Sequence, residues 1–285
     1  MKLDVVITAT LVLLSMGVIF GLILAIASRL LRIESDPKIG EITAVLPGAN
    51  CGACGYAGCS GLAEAIVSGI APINACPVGK AACAEKIAAI MGLELTAEIK
   101  PKNAHLVCQG GKSERVERFW YMGIADCAAA DMLNGGPKLC EFGCLGLGNC
   151  VRACLFDAIR INENGLPEID PELCTGCGAC VRTCPRQLIK LIDDSYRVMV
   201  LCKSHSKGPD VRKACKIGCI GCGICAKNCP AEAIKITNSL AEINPELCTA
   251  CGICIEKCPM KTIRSIINIH SKPESEKQDS EVKVI

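Results

Sequence analysis

Aromatic side chains make up only 3% of the 285 residues, with one Trp, three Tyr and four Phe, too few for a large aromatic-rich core. Histidine is scarcer still: His105, His205 and His270 are isolated, which leaves little room for haem or a His-built metal site. Neither charge sign dominates, with 31 Lys and Arg against 29 Asp and Glu, so composition gives no case for a nucleic-acid partner. No GxGxxG opens a helix after a strand, and the Gly110-Gly111-Lys112-Ser113 run lacks the upstream glycine of a phosphate loop. It reads as a turn.

Cysteine is abundant. There are 25, an odd number, many of them two residues apart. Disulfide scaffolds are short and secreted, whereas thiols this close in a long chain suit a shared metal in a reducing compartment. Metal binding also supplies folding energy where the apolar core is small.

Residues 5–27 read VVITATLVLLSMGVIFGLILAIA without a charge. About twenty such residues cross a bilayer, and the run is too long for a cleaved leader. Arg29, Arg32 and Lys38 follow it, so the positive-inside tendency predicts an outside N-terminus and a cytoplasmic bulk. Gly17 and Gly21 form a GxxxG on which another helix could pack. A polar, Pro-containing linker is expected over 33–47, then short helices near Gly61–Ser68 and Ala81–Met91. The charged tail after His270 is expected to be disordered.

The middle of the chain is duplicated. Residues 106–154 overlay 200–229: Cys108 matches Cys202, Cys140 matches Cys215, Cys144 matches Cys219, Cys150 matches Cys225, and Cys154 matches Cys229. Each half continues through a similar link, GLPEIDPELCTGCGACVRTCP at 165–185 and SLAEINPELCTACGICIEKCP at 239–259.

Three runs have the form C-x2-C-x2-C-x3-C-P: Cys174, Cys177, Cys180, Cys184; Cys219, Cys222, Cys225, Cys229; and Cys248, Cys251, Cys254, Cys258. In such runs three thiolates wrap one [4Fe–4S] cluster and the fourth, before Pro, binds the other cluster of a pair. Zinc sites use two separated close pairs instead. A fourth run, Cys140, Cys144, Cys150, Cys154, is irregular: Leu147 stands where Cys222 stands, and Leu155 replaces the Pro. Cys140 is the first choice to replace the missing ligand, with Cys127 second. The crossed pattern then groups Cys140, Cys144, Cys150 and Cys184; Cys154, Cys174, Cys177 and Cys180; Cys219, Cys222, Cys225 and Cys258; and Cys229, Cys248, Cys251 and Cys254.

The N-terminal motif, NCGACGYAGCS followed by Cys76-Pro77, offers Cys51, Cys54, Cys59 and Cys76 from one small domain. Five cysteines remain. Cys108, Cys127, Cys202 and Cys215 form either a sixth cluster or a set of buried apolar thiols, and Cys83 is read as core on an Ala-rich helix. At least five [4Fe–4S] clusters are expected. The basic stretch Lys203, Lys207, Arg212, Lys213, Lys216 is either a dock for an acidic partner or a solvated loop.

An anchor helix, an NCGACGYAGC domain and paired ferredoxin motifs together resemble the B subunit of the Rnf family of ion-translocating ferredoxin:NAD+ oxidoreductases, in its long, cysteine-rich anaerobe form. The resemblance covers nearly the whole chain except the tail. It implies an α+β chain with a membrane anchor (1–30), a small α-rich cluster domain (31–100), two ferredoxin-like dicluster modules (101–198 and 199–268) and a tail (269–285). It further implies an electron relay at the inner face of a bacterial cytoplasmic membrane, bound to lipid through residues 5–27. Reduced ferredoxin would be the donor and flavin-bearing membrane subunits the acceptors, with Na+ or H+ driven outward. The rival reading is the iron–sulfur subunit of a membrane hydrogenase or formate dehydrogenase; a third is a scaffold whose clusters only stabilise the fold. No general base or nucleophile is called for in any of them.

Overall fold

The N-terminal apolar run forms one helix, α1 (Lys2–Leu30), in the computed structural model of the chain, which describes residues 2–30, 36–94, 100–193 and 195–266. Its stretch Thr10–Arg29 is long and apolar enough to cross a membrane. Leu13, Leu24 and their neighbours are exposed, so among the described residues α1 has no apolar surface to pack against. The expected tail, 269–285, lies outside the described residues, as does Arg32.

The linker expected over 33–47 is in large part a helix, α2 (Pro37–Val45). Pro37 suits the first helical turn, where its missing N–H costs nothing, and the Asp36 side chain accepts the Lys38 N–H at 2.9 Å. Proline here starts a helix rather than breaking one. Ile42 of α2 is fully buried against α3 (Cys59–Val67) and α4 (Lys80–Met91), alongside Leu62, Ile66 and Ile87. These three short helices supply the core of the N-terminal domain. Cys83 belongs to that core, and its thiol faces the Val45 carbonyl at 3.6 Å.

From Lys102 onward two units of one build follow each other. The first has β1 (Lys102–Leu106), α5 (Cys127–Met132), α6 (Asn149–Arg152), the hairpin β2 (Ile159–Ile161) and β3 (Pro167–Ile169), α7 (Ala179–Thr183) and β4 (Ile189–Asp193). The second has β5 (Val198–Val200), α8 (Gly208–Ala214), α9 (Ile224–Lys227), the hairpin β6 (Ile234–Thr237) and β7 (Leu240–Ile243), α10 (Ile253–Lys257) and β8 (Ile263–Ser265). In each, the first strand pairs antiparallel with the last (β1 with β4, β5 with β8) and the hairpin pairs with itself. Helix α6 packs on α7, and α9 on α10. The duplication seen in the sequence is therefore a duplication of architecture. Only the first unit carries a long insert before its cluster motif, holding α5 and leaving Trp120 and Met122 almost fully exposed.

The units share a core of Val107, Ile192, Met199 and Ile266. Their backbones are also stitched together: Val116 N–H donates to Ala214 O at 3.0 Å and Lys216 N–H to Glu114 O at 2.9 Å. Gln109 Nε2 reaches across to the carbonyls of Ile217 and Lys261. The Gly110–Ser113 run is a turn in this seam, with Gly111 N–H and Lys112 N–H both hydrogen-bonded.

Candidate metal centres

Four cysteine loops are built alike. In each, a glycine in the left-handed region (Gly148, Gly178, Gly223, Gly252) turns the chain into a one-turn helix whose second residue is a cysteine. Glycine adopts that conformation without the steric penalty of a Cβ. The cysteines so delivered, Cys150, Cys180, Cys225 and Cys254, are all buried. Because α6 lies on α7 and α9 on α10, each loop meets the cysteine that leaves its partner.

Three of the buried thiols have neighbours from their own loop and one cysteine from the partner loop. Burial pushes the Cys180 thiol up to about 11, and Cys174, Cys177 and Cys154 add to the push. Burial likewise raises Cys225 to about 11, with Cys219, Cys258 and Cys222 as its thiol neighbours. Cys254 is raised by burial and then by Cys248, Cys251 and Cys229. Thiols this reluctant to ionise stay protonated in the bare fold, and a metal displaces the proton. In the N-terminal domain burial raises Cys76, with Cys54 and Cys59 as thiol neighbours, while Asn50 Oδ1 accepts Cys59 N–H at 2.8 Å beside Cys51.

The irregular loop departs from expectation. Cys127, rather than Cys140, lines one cavity with Cys144, Cys150 and Cys184. Burial pushes the Cys150 thiol up to about 12, and its thiol neighbours are Cys144, Cys127 and Cys184. Asp126 caps α5 by accepting Ala129 N–H at 2.8 Å, and the Asn149 side chain accepts Cys127 N–H at 2.8 Å. Cys127 is thus delivered to the gap that Leu147 leaves. Cys140 is held elsewhere: the buried Arg186 guanidinium donates to the Cys140 carbonyl at 3.2 Å and pairs with Asp131 at 2.8 Å. Together these bonds keep the Cys140–Gly143 turn on the seam, where Cys140 lines a second cavity with Cys108, Cys202 and Cys215. The internal symmetry carries the signal for this choice. Cys108 and Cys202 are mates, and so are Cys140 and Cys215, whereas Cys127 has no mate because it sits in the insert.

The residues fit polynuclear clusters. Among the described residues no three Cys, His, Asp or Glu converge on a point that one ion could occupy. A tetrahedral zinc site with bonds of about 2.3 Å needs such convergence, whereas these thiols surround spaces. Backbone N–H groups aim at the sulfurs, as cluster sites require: Leu188 at Cys184, Thr262 at Cys258, Ala104 at Cys174 and Gly79 at Cys76, each at 3.4 Å. The buried Thr175 hydroxyl, in the Cys174–Cys177 loop, has no protein partner and lines the cavity there.

Of the basic stretch, Lys203 and Lys216 spend their ammonium groups on carbonyls of the first unit, Arg186 and Ser113. Lys207, Arg212 and Lys213 remain exposed. His205 stacks edge-on against Phe142 with ring centroids 5.8 Å apart.

Three stretches match known families: an Fe-S cluster family at residues 46–78, a 4Fe-4S binding domain at 166–189 and a 4Fe-4S dicluster domain at 218–262. Curated relatives align over most of the chain. The B subunit of the ion-translocating oxidoreductase complex of Methanosarcina acetivorans is 47% identical over 246 residues, 86% of this chain and 93% of its own. The B subunit of the Na(+)-translocating ferredoxin:NAD(+) oxidoreductase complex of Acetobacterium woodii is 44% identical over 232 residues, 81% of this chain and 69% of its own. The proton-translocating counterpart of Clostridium ljungdahlii is 46% identical over 247 residues, 86% of this chain and 87% of its own.

Proposed function

This chain belongs to the B-subunit family of ion-translocating ferredoxin:NAD+ oxidoreductase complexes, and we propose that it takes electrons from reduced ferredoxin and delivers them to flavin-bearing subunits at the membrane. Clusters of the [4Fe–4S] type supply one-electron transfer when bound. The protein's part is to hold, space and insulate them.

Five ligand sets are assigned, supported by the thiol neighbourhoods and, for Cys51, by the spacing of its motif. Cys51, Cys54, Cys59 and Cys76 serve the N-terminal domain, and Cys127, Cys144, Cys150 and Cys184 the irregular loop. Cys154, Cys174, Cys177 and Cys180 complete the first ferredoxin-like module. Cys219, Cys222, Cys225 and Cys258, then Cys229, Cys248, Cys251 and Cys254, form the second. The observation that carries the reading is the crossing itself: Cys184 joins the earlier loop and Cys154 the later one, so each pair of sites shares two helices. That arrangement keeps paired centres close and fixed, which electron hopping needs. It is more than a stapled fold needs.

The helix α1 anchors the chain as a single span, with Arg29 at its cytoplasmic end. Residues 5–27 carry no charged side chain, so this helix offers a translocated ion no path. Relatives at 44% and 46% identity are named for different ions, which suits a component that passes electrons only. Exposed Lys207, Arg212 and Lys213 are the cations left in that stretch for docking an acidic donor.

The test is to purify the full chain in detergent without oxygen, load iron and sulfide, and titrate with reduced ferredoxin under EPR. About twenty irons or more per chain, reducible by ferredoxin, is the expected result. Zinc in place of iron, or clusters that ferredoxin leaves oxidised, would overturn the reading.

A further inference from the structure

The seam between the two units holds a cavity of about 310 Å³ that none of the five ligand sets uses. Its wall carries Cys108, Cys140, Cys202 and Cys215, two from each unit. They are two pairs of repeat mates, so the site has the internal symmetry of the duplication. Cys108 is their shared neighbour: it bears on Cys140, on Cys202 and on Cys215. Two backbone N–H groups point at sulfurs here as they do at the other sites, Cys144 at Cys108 and Ser204 at Cys202, both at 3.4 Å. At Gly110 an added Cβ would lie 3.1 Å from the Cys215 sulfur, so a side chain there would crowd the thiol.

The second observation is Lys138. It is 1% exposed, it lines this cavity, and its Nζ has no hydrogen-bond partner in the protein. A buried lysine head group without a partner is costly to keep charged, and negative charge supplied beside it relieves that cost. Its repeat mate, Lys213, is exposed, so the burial is not inherited from the duplication. Four thiolates around an iron–sulfur cube supply that charge, since the assembly is doubly negative when oxidised and more so when reduced.

We propose that the seam binds a sixth [4Fe–4S] cluster through Cys108, Cys140, Cys202 and Cys215, with the Lys138 ammonium as its buried counter-charge. This rests on the chain being an iron–sulfur carrier, and adds a ligand set that joins the two modules. Lys138 is a positioning and tuning residue. A fixed positive charge favours the more negative, reduced state, so it holds the potential of this centre up.

The experiment uses the full chain, reconstituted without oxygen, beside the variants Cys108→Ser with Cys215→Ser, and Lys138→Met. The double variant should contain about four fewer irons per chain than the parent. Lys138→Met should keep its iron while one EPR component moves to lower potential. An unchanged iron count in the double variant would overturn the seam cluster, and unmoved potentials in Lys138→Met would overturn the role of the lysine. Near-zero iron in the parent would instead sink the carrier reading itself. Should the double variant shed far more iron than one cluster's worth, brief iodoacetamide treatment of the intact parent decides. The same treatment of the chain stripped of its iron is the reference: protection in the loaded chain that is lost on stripping supports ligation, and equal labelling or equal protection in both overturns it.

Discussion

The Asn149 side chain accepts the backbone N–H of Cys127 at 2.8 Å and donates to Asp126 at 2.7 Å, locking the start of α5 onto the loop that lacks a cysteine at Leu147. A residue from an upstream insert thereby lines the cavity of the irregular loop with Cys144, Cys150 and Cys184. The two candidate replacements separate cleanly by experiment. Cys127→Ala should abolish the EPR component of the irregular loop, and Cys140→Ala should leave that component intact while altering another. The reverse pattern would restore the ligand order expected from sequence.

Cys83 sits 6% exposed on α4 in the N-terminal core, beside Cys76 but turned toward the Val45 carbonyl. Cys83→Ala should keep the full iron content and cost roughly 1–2 kcal/mol for the void it leaves. Iron analysis and thermal melting of the loaded protein measure both. Loss of about four irons would make Cys83 a ligand.

Ala250 has a φ of 56° at the position that Gly146, Gly176 and Gly221 occupy in the other loops. A Cβ in the left-handed region costs about 1 kcal/mol or more, so Ala250→Gly should raise the unfolding midpoint and slow cluster loss. The opposite change is worse at Gly176, where an added Cβ would run into the Lys102 carbonyl oxygen. Gly176→Ala should cost well over about 1 kcal/mol, read as lowered iron occupancy and an earlier melt.

Glu114 accepts hydrogen bonds from the Ser113 hydroxyl at 2.5 Å, from Asn164 at 2.9 Å and from Gly111 N–H at 3.1 Å, which together hold its carboxyl below the usual range. A carboxyl depressed in the folded state stabilises fully above the unfolded value, about 4.3, and loses that contribution as pH falls through the lower folded value. Glu114→Gln should flatten this acid limb without moving stability's slope at neutral pH. Chemical unfolding across pH 3–7 (about the range that brackets a carboxylate) reads the difference. An unchanged acid limb would mean that the bonds are not maintained in solution.

The C-terminal module is expected to face the donor and the Cys51 site to feed the membrane. Cys51→Ala with Cys54→Ala should then stop electrons from reaching the flavin-bearing subunits, while ferredoxin still reduces the remaining clusters. Full activity of the complex containing this variant would reverse the order.

Much of this molecule is legible in its sequence. Apolar length names the long N-terminal helix, cysteine spacing names three of the four C-terminal loops, and self-similarity names the duplication. Those are local properties: the length of a charge-free run, the reach of a loop around a cluster, and glycines such as Gly178 and Gly223 where the backbone must turn left-handed. Asp36-Pro37 is a local signal too, a helix start within a stretch whose polarity suggests a linker. What only the tertiary structure decided is which thiol goes where when the spacing is broken. Cys127 and Cys140 are both within reach by distance along the chain. The choice between them depends on Arg186, Asn149 and Asp126, residues brought from separate segments by the packing of the first unit. The seam cavity is of the same kind, because its four cysteines are spread from 108 to 215 and meet only when duplicated halves fold against each other.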